Sequence, residues 1–334
     1  MIVFLFLIIA LCLYKIKIAN NGYFSDFLER EQTNSIKGLF ILFVFLRHVL
    51  PYIAKSGYEF NAFGDPVVLF VDGILGQLIV VLFLFYSGYG VMEAIKNKGN
   101  VYISQMPQKR ILPTLLNFDI AVLCFVLLDL LLGIPMNSTQ VLLSLTGWDS
   151  VGNSNWYIFV ILICYVVTYL FINEKRMFLG TTMLFVVAMI LLLSGKPEWW
   201  YNTILSYPAG ILFSKNKEKI IDLWKKYYWR ILFTFILFFC VLYPFRSDCI
   251  SLKYNILSII FAFIAVQLTM KIKVSNGILC WLGVNLFPLY IYQRIPMILL
   301  SKKTFTVENP LLFMMVSLIV TVFIAWLYRY WKVK

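Results

Sequence analysis

The stretch IKGLFILFVFLRHVLPYI, residues 36–53, decides how this chain is read. As a helix it would extend about 27 Å, close to the roughly 30 Å of a bilayer's hydrocarbon core. Lys37, Arg47 and His48 all lie within it, and His48 is the one histidine of the 334-residue chain. Ionisable groups at membrane depth cost roughly 2.5 kcal/mol or more, so they are rare and usually face a polar cavity with a task. Lys37 and His48 are eleven positions apart, which is three helical turns plus about 20°. They therefore share one stripe, about 16 Å apart along the axis. A cation at one depth and a proton acceptor at another is the pattern to explain.

The rest of the chain extends that reading. Hydrophobic residues make up 61% and charged residues 13%, against about 45–50% and 25% in soluble domains; the mean hydropathy is +0.85. Apolar stretches fall at about 1–18, 36–53, 74–92, 114–133, 156–172, 178–194, 200–214, 230–246, 252–270, 278–300 and 310–328. The expected fold is all-α: a polytopic membrane helical bundle with ten core transmembrane helices plus one N-terminal apolar helix. Residues 1–33 read as an anchor helix and cytoplasmic linker, and residues 34–334 as the membrane domain. The first apolar stretch has no basic segment before it and no small-residue cleavage site, which argues for an uncleaved anchor or an interfacial helix.

The net charge of +13 invites a nucleic-acid partner, but its distribution points to the lipid bilayer instead. With residues 15–35 on the cytoplasmic side, that side receives twenty of the 29 lysines and arginines, which sets the orientation. The C-terminus then lies in the cytoplasm and the N-terminus outside. The basic run KNKEKIIDLWKKYYWR, residues 215–230, reads as an interfacial helix against anionic lipid. The six cysteines have no metal-like CxxC spacing and read as buried thiols packing like small hydrophobes. With a single histidine, a His-rich metal site is excluded. Walker, GxSxG and HExxH motifs are absent from the sequence.

The candidate residues each carry two readings. His48 is either a packing histidine bonded to a neighbouring helix or a general base whose neutral imidazole accepts a hydroxyl proton. Lys37 alone reads as a snorkelling lysine, and Lys109–Arg110 as ordinary inside charges. Together these cations suit the phosphates of an anionic cytoplasmic ligand. Arg47 and Arg294, in the outer halves of their spans, suit either a carboxylate such as Asp72 or Asp129, or a sugar. The longest external loop, about 134–155, ends in WDSVGNSNWY. It offers Asp149, Asn153, Ser154 and Asn155 as a polar cluster. Trp156 and Tyr157 follow at the membrane boundary, where aromatic residues ordinarily form a belt.

These residues, in this order, resemble the acyltransferase-3 family of integral-membrane O-acyltransferases. The family's opening basic residue, ten positions and histidine are matched by Lys37 through His48 in SIKGLFILFVFLRH; its FLSGF segment resembles LFLFYSGYG at Ser87, Gly88 and Tyr89. A basic segment follows, KNKGNVYISQMPQKRILP. The WY pair is Trp156–Tyr157, and CWLGVNLFPLYIYQ is similar to the family's late LGKxSxxxYLxH stretch at Leu282, Gly283 and Tyr290. Lys37 stands where arginine is common, Lys109–Arg110 replace two arginines three apart, and Gln293 replaces the late histidine. Within these 334 residues no hydrolase domain of the SGNH type is expected.

The resemblance implies transfer of an acyl group, usually acetyl, from cytoplasmic acyl-CoA to a hydroxyl of an envelope glycan or its lipid-linked precursor. The setting it implies is a bacterial plasma membrane. Acyl-CoA is a co-substrate in this picture, with no tightly bound cofactor and no metal; a partner acyltransferase is an open place in the scheme. Lys37, Lys109 and Arg110 would hold the CoA phosphates. His48 would be the base. Arg47, Asp149, Asn153, Asn155, Trp156, Tyr157 and Arg294 are the candidates for the acceptor side. A transporter or flippase of lipid-linked envelope glycan is the rival reading, suited by bundle size and internal arginines. Against it, the halves show no repeat and no paired Gly/Pro-interrupted helices.

Overall fold

Lipid offers no hydrogen bonds to a backbone, so a chain this apolar closes its own as helices. The computed structural model of the protein describes residues 1–173, 176–246, 251–274, 276–301 and 305–333; Lys175, Cys249, Lys302, Lys303 and Lys334 lie outside them. The chain is 78% helical, and the described strands are two three-residue segments, so the all-α expectation holds. Among the described residues, six helical stretches are long and apolar enough to cross a membrane: Arg30–Lys55, Asp65–Lys98, Asn100–Leu132, Tyr228–Phe245, Leu252–Thr269 and Pro310–Tyr330. The expected eleven apolar stretches do not each give a helix of that length. Trp156–Phe171 and Met177–Leu193 stop at 16 and 17 residues, and residues 278–300 break into Gly277–Val284, Leu286–Tyr292 and Arg294–Ser301.

Four helices open the bundle: α1 (Ile2–Leu13), α2 (Arg30–Lys55), α3 (Asp65–Leu75) and α4 (Leu78–Lys98). In α4 every residue from Leu78 to Tyr86 is buried. A helix apolar all round belongs at the centre of its bundle, and α4 sits there. Its other end carries Lys96 and Lys98 and stops at Gly99, whose φ of 55° suits glycine.

Two glycine-mediated crossings set the positions of α2 and α4. A Cβ on Gly38 would lie 1.8 Å from the Leu279 carbonyl oxygen, and one on Gly283 would lie 1.9 Å from that of Asn34. Thus α2 touches the Gly277–Val284 helix backbone to backbone. The second crossing repeats the device: a Cβ on Gly88 would lie 2.0 Å from the Tyr207 oxygen, and one on Gly210 would lie 2.1 Å from that of Phe85. Between lipid-embedded helices there is no hydrophobic driving force, so close approach through small residues supplies the packing energy.

Outside the bundle, strand β1 (Ile16–Ile18) pairs antiparallel with β2 (Ile272–Val274), with Lys17 opposite Lys273. Gln32 at the start of α2 reads the backbone of β2 at both edges. Its Nε2 donates to the Ile272 carbonyl at 3.2 Å, and its Oε1 accepts from the Val274 amide at 3.1 Å. An Asp26–Lys273 ion pair adds to this anchor. Residues before α2 are therefore tied to the bundle at the same end as Lys37. The thiols depart from the expectation of burial: Cys164 is buried, but Cys124 and Cys240 are exposed on the outer surface. A thiol is apolar enough to be tolerated there.

The crossings predict their own failure. Gly283→Ala and Gly210→Ala should each destabilise the detergent-purified protein by about 1–3 kcal/mol, since the added methyl meets backbone. Gly277→Ala, whose added methyl would meet nothing within 4 Å, should melt like the wild type. Equal melting temperatures for all three variants would contradict the packing account.

Candidate active site

A cavity of about 1010 Å³ opens at the Lys37 end of the bundle, between α2, α4 and the Trp156–Phe171 helix. Small-molecule sites usually measure about 300–1,000 Å³, so this one suits a cofactor-sized ligand. Its wall runs along α4 from Lys98 at the mouth to Phe83 at the far end, about 22 Å of helix. Tyr157 closes that end.

Each wall residue is placed by an identifiable local cause. Asn34 and Lys37 both face the cavity from α2, one i,i+3 step apart on one face. Ser87 stands beside the Gly88 crossing and bonds the Tyr165 hydroxyl at 3.0 Å. Arg110 belongs to Pro107–Ile111, a π-helical turn within the Asn100–Leu132 helix. Such bulges re-aim side chains and recur at functional sites. Here the bulge includes Pro107, which supplies no amide hydrogen to the helical ladder.

The charges are arranged unequally. Glu93 is already neutralised: it accepts from Lys96 at 3.1 Å, Lys217 at 2.9 Å and the Ser214 hydroxyl at 2.7 Å. Lys37 and Arg110 have no ion-pair partner among the described residues. Arg110 has the Tyr102 and Tyr165 rings near its guanidinium. Arg30, Lys37, Lys98 and Arg110 thus line the cavity without an ion-pair partner among the described residues, beside the carboxylates Glu29 and Glu31, and this excess of cations is a setting for an anion.

A family model described as an acyltransferase domain matches residues 31–330. The chain belongs to the acyltransferase-3 family. No curated protein and no solved structure matches it. The family is one of membrane acyltransferases, and the matched span contains every wall residue of the cavity from Glu31 onward.

Within this acyltransferase, the sequence candidates separate into groups. Lys37 and Arg110 meet in the cavity, whereas Lys109 is not among its lining residues and donates to Gln105 Oε1 at 2.7 Å. His48 lies beyond the far end. Its ring is 5.9 Å from that of Tyr290, which is 5.3 Å from that of Tyr157. His48 is half-buried, and its Nδ1 is buried without a hydrogen-bond partner. Two rings thus stand between the cavity and the imidazole.

The acceptor-side candidates are mixed. Arg47 pairs with Asp72 at 2.5 Å, so its partner is a carboxylate. Arg294 contacts the Gly152 carbonyl at 3.5 Å and leaves a buried Nε unpartnered. Asp149 and Asn155 hold their own loop together: Asp149 accepts from the Ser150 amide at 2.7 Å, and Asn155 donates to the Gly147 and Asp149 carbonyls at 2.9 Å each. Asn153 also braces the loop through its oxygen, but its Nδ2 is buried and free. Trp156 is half-buried. Tyr157 is 5% exposed and lines the cavity, so it is no belt residue; one helical position rotates it about 100° from Trp156. Sequence reasoning missed Tyr86, Tyr102 and Tyr165 as wall residues. The signal for Tyr165 was its spacing of eight from Tyr157, two helical turns on one face.

A cysteine at Ala94, in the cavity wall, should react with a charged thiol reagent added from the Lys37 side, in a background with Cys124 and Cys240 replaced. One at Val49, 0% exposed, should not. An unreactive Ala94→Cys would show the cavity to be closed to water.

Proposed function

We propose that this acyltransferase moves an acyl group, acetyl above all, from cytoplasmic acyl-CoA to a hydroxyl of an envelope glycan or its lipid-linked precursor. The observation that carries this reading is the cavity: it has free cations near its mouth and ends two aromatic rings from the one histidine. The membrane is a bacterial plasma membrane, crossed by ten core helices and flanked by the N-terminal apolar helix. The Lys37 end faces the cytoplasm, as the basic residues of the loops support. The C-terminus is cytoplasmic and the N-terminus external.

In this reading Lys37 and Arg110 bind the phosphates of the donor, the guanidinium by two parallel hydrogen bonds. The acyl end of the donor lies up the cavity toward Tyr157. A rotation of the Tyr157 ring joins that end to the space around His48 and Tyr290. His48 accepts the proton of the acceptor hydroxyl, and the oxygen attacks the thioester carbonyl. The C–S bond then breaks, and the departing thiolate takes up a proton. Base catalysis of this kind contributes about 10²–10⁴-fold. Arg294 and the free amide of Asn153 are the groups left to meet the acceptor. Lys109, Asp149 and Asn155 act through structure, and Arg47 acts through its pair with Asp72.

Inverted membrane vesicles from cells producing the protein expose the cytoplasmic face and enclose native acceptor. Given radiolabelled acetyl-CoA, they should incorporate label into envelope glycan. His48→Gln should lower the rate about 10²–10⁴-fold, and Lys37→Met or Arg110→Gln should raise the KM for acetyl-CoA. A correctly folded His48→Gln protein working at the wild-type rate would overturn the assignment of the base. Wild-type vesicles that incorporate nothing while glycan precursor accumulates in cells lacking the protein would favour a flippase.

A further inference from the structure

The polar groups immediately behind Tyr157 are unpaired. The Tyr290 hydroxyl belongs to a side chain 1% exposed and has no hydrogen-bond partner. Ser154, 3% exposed, has an unpartnered hydroxyl as well. Leaving a buried hydroxyl unsatisfied is costly, so two in one place need a reason.

The neighbouring backbone shows the same lack. The Trp156–Phe171 helix has 16 residues and begins without a side-chain cap. Asn155, at the cap position, has turned its amide back to the Gly147 and Asp149 carbonyls. The first-turn amides of this helix therefore keep their free N–H groups and the positive end of the helix dipole. The Tyr290 hydroxyl interacts with the Ser154 hydroxyl and the Tyr157 amide without a hydrogen bond of ordinary geometry to either. On its other side the Tyr290 ring faces His48 at 5.9 Å.

We propose that the Tyr290 hydroxyl, the Ser154 hydroxyl and the uncapped amino end of the Trp156–Phe171 helix form an oxyanion site. The inference rests on the acyl-transfer reading above. As the acceptor oxygen bonds to the thioester carbon, the carbonyl π pair moves to oxygen, and that negative oxygen is received by these donors. His48 takes the acceptor proton. The pair on oxygen then re-forms the carbonyl as the C–S bond breaks, and the thiolate takes the proton that His48 held. Preorganised donors of this kind act where charge develops and need no reorganisation during the reaction. The arrangement also accounts for a buried phenol left without a partner: its partner exists only during the reaction.

The test uses the same inverted vesicles, comparing acetyl-CoA with its dithio analogue, whose thiocarbonyl sulfur accepts hydrogen bonds poorly. Tyr290→Phe should lower the apparent kcat for acetyl-CoA about 10²–10³-fold, the usual loss of one oxyanion donor. The KM and melting temperature should stay unchanged. The wild-type preference for acetyl-CoA over the dithio analogue should shrink in the variant. Ser154→Ala, which removes one loop hydroxyl, provides the second reading if Tyr290→Phe fails to fold, and should reduce kcat and the same preference to a smaller degree. Variants that keep the wild-type kcat, or that lose rate with an unchanged oxygen-to-sulfur preference, overturn the oxyanion site and leave the acyl-transfer reading standing. A wild type that transfers no label overturns both.

Discussion

Helices dissolved in lipid gain nothing from burying one apolar face against another, so their placement depends on how closely their backbones can approach. In this chain that approach occurs where Gly38 meets Leu279, Gly283 meets Asn34, Gly88 meets Tyr207 and Gly210 meets Phe85. Each contact lies beside a residue of the cavity. Gly38 follows Lys37 directly, Gly283 abuts Asn34, and Gly88 follows Ser87. The same contacts that hold the bundle together therefore fix the depth and direction of the groups that line the site.

The electrostatics build on this frame. An ammonium or guanidinium placed in a bundle is tolerated when it is paired or faces water. Glu93 satisfies its neighbours Lys96 and Lys217, and Asp72 satisfies Arg47. Lys37 and Arg110, with Arg30 and Lys98, are left to the cavity. At the other end the imbalance is of hydrogen bonds: Nδ1 of His48, the Tyr290 hydroxyl, the Ser154 hydroxyl, Nδ2 of Asn153 and Nε of Arg294 are all buried without partners. An acyl donor brings phosphates to the first place and a carbonyl to the second, which supports assigning both ends to one reaction.

Much of this was legible in the sequence, because helix period and charge placement survive without coordinates. The membrane class, the family and the joining of Lys37 with Arg110 followed from apolar stretches, from ordered motifs and from basic residues on one side. What could not be read was the phase of each helix and the use each loop makes of its polar groups. Tyr157 looked like a boundary aromatic because it follows Trp156, yet one step of rotation carries it into the cavity. Asp149 and Asn155 looked like free ligands because the loop is polar, but a tight loop consumes such groups in its own hydrogen bonds. Six helices of the described residues have spanning length, and the late apolar segment divides at Asn285 and Gln293, each three residues before a proline, Pro288 and Pro296, that brings no amide hydrogen to the helical ladder. Tyr290 entered the sequence reading only as a family match; its missing hydrogen bond is visible only in three dimensions.

The central claim is that one cavity takes an acyl-CoA from the Lys37 end and brings its thioester to the threshold of His48. An electron-density map of the protein in nanodiscs with coenzyme A bound tests it most directly. The account predicts phosphate density at Lys37 and Arg110, with the pantetheine arm along α4 and the sulfur against Tyr157. Density for the nucleotide at any other surface, with the cavity between Lys37 and Tyr157 filled by lipid or water, would contradict it.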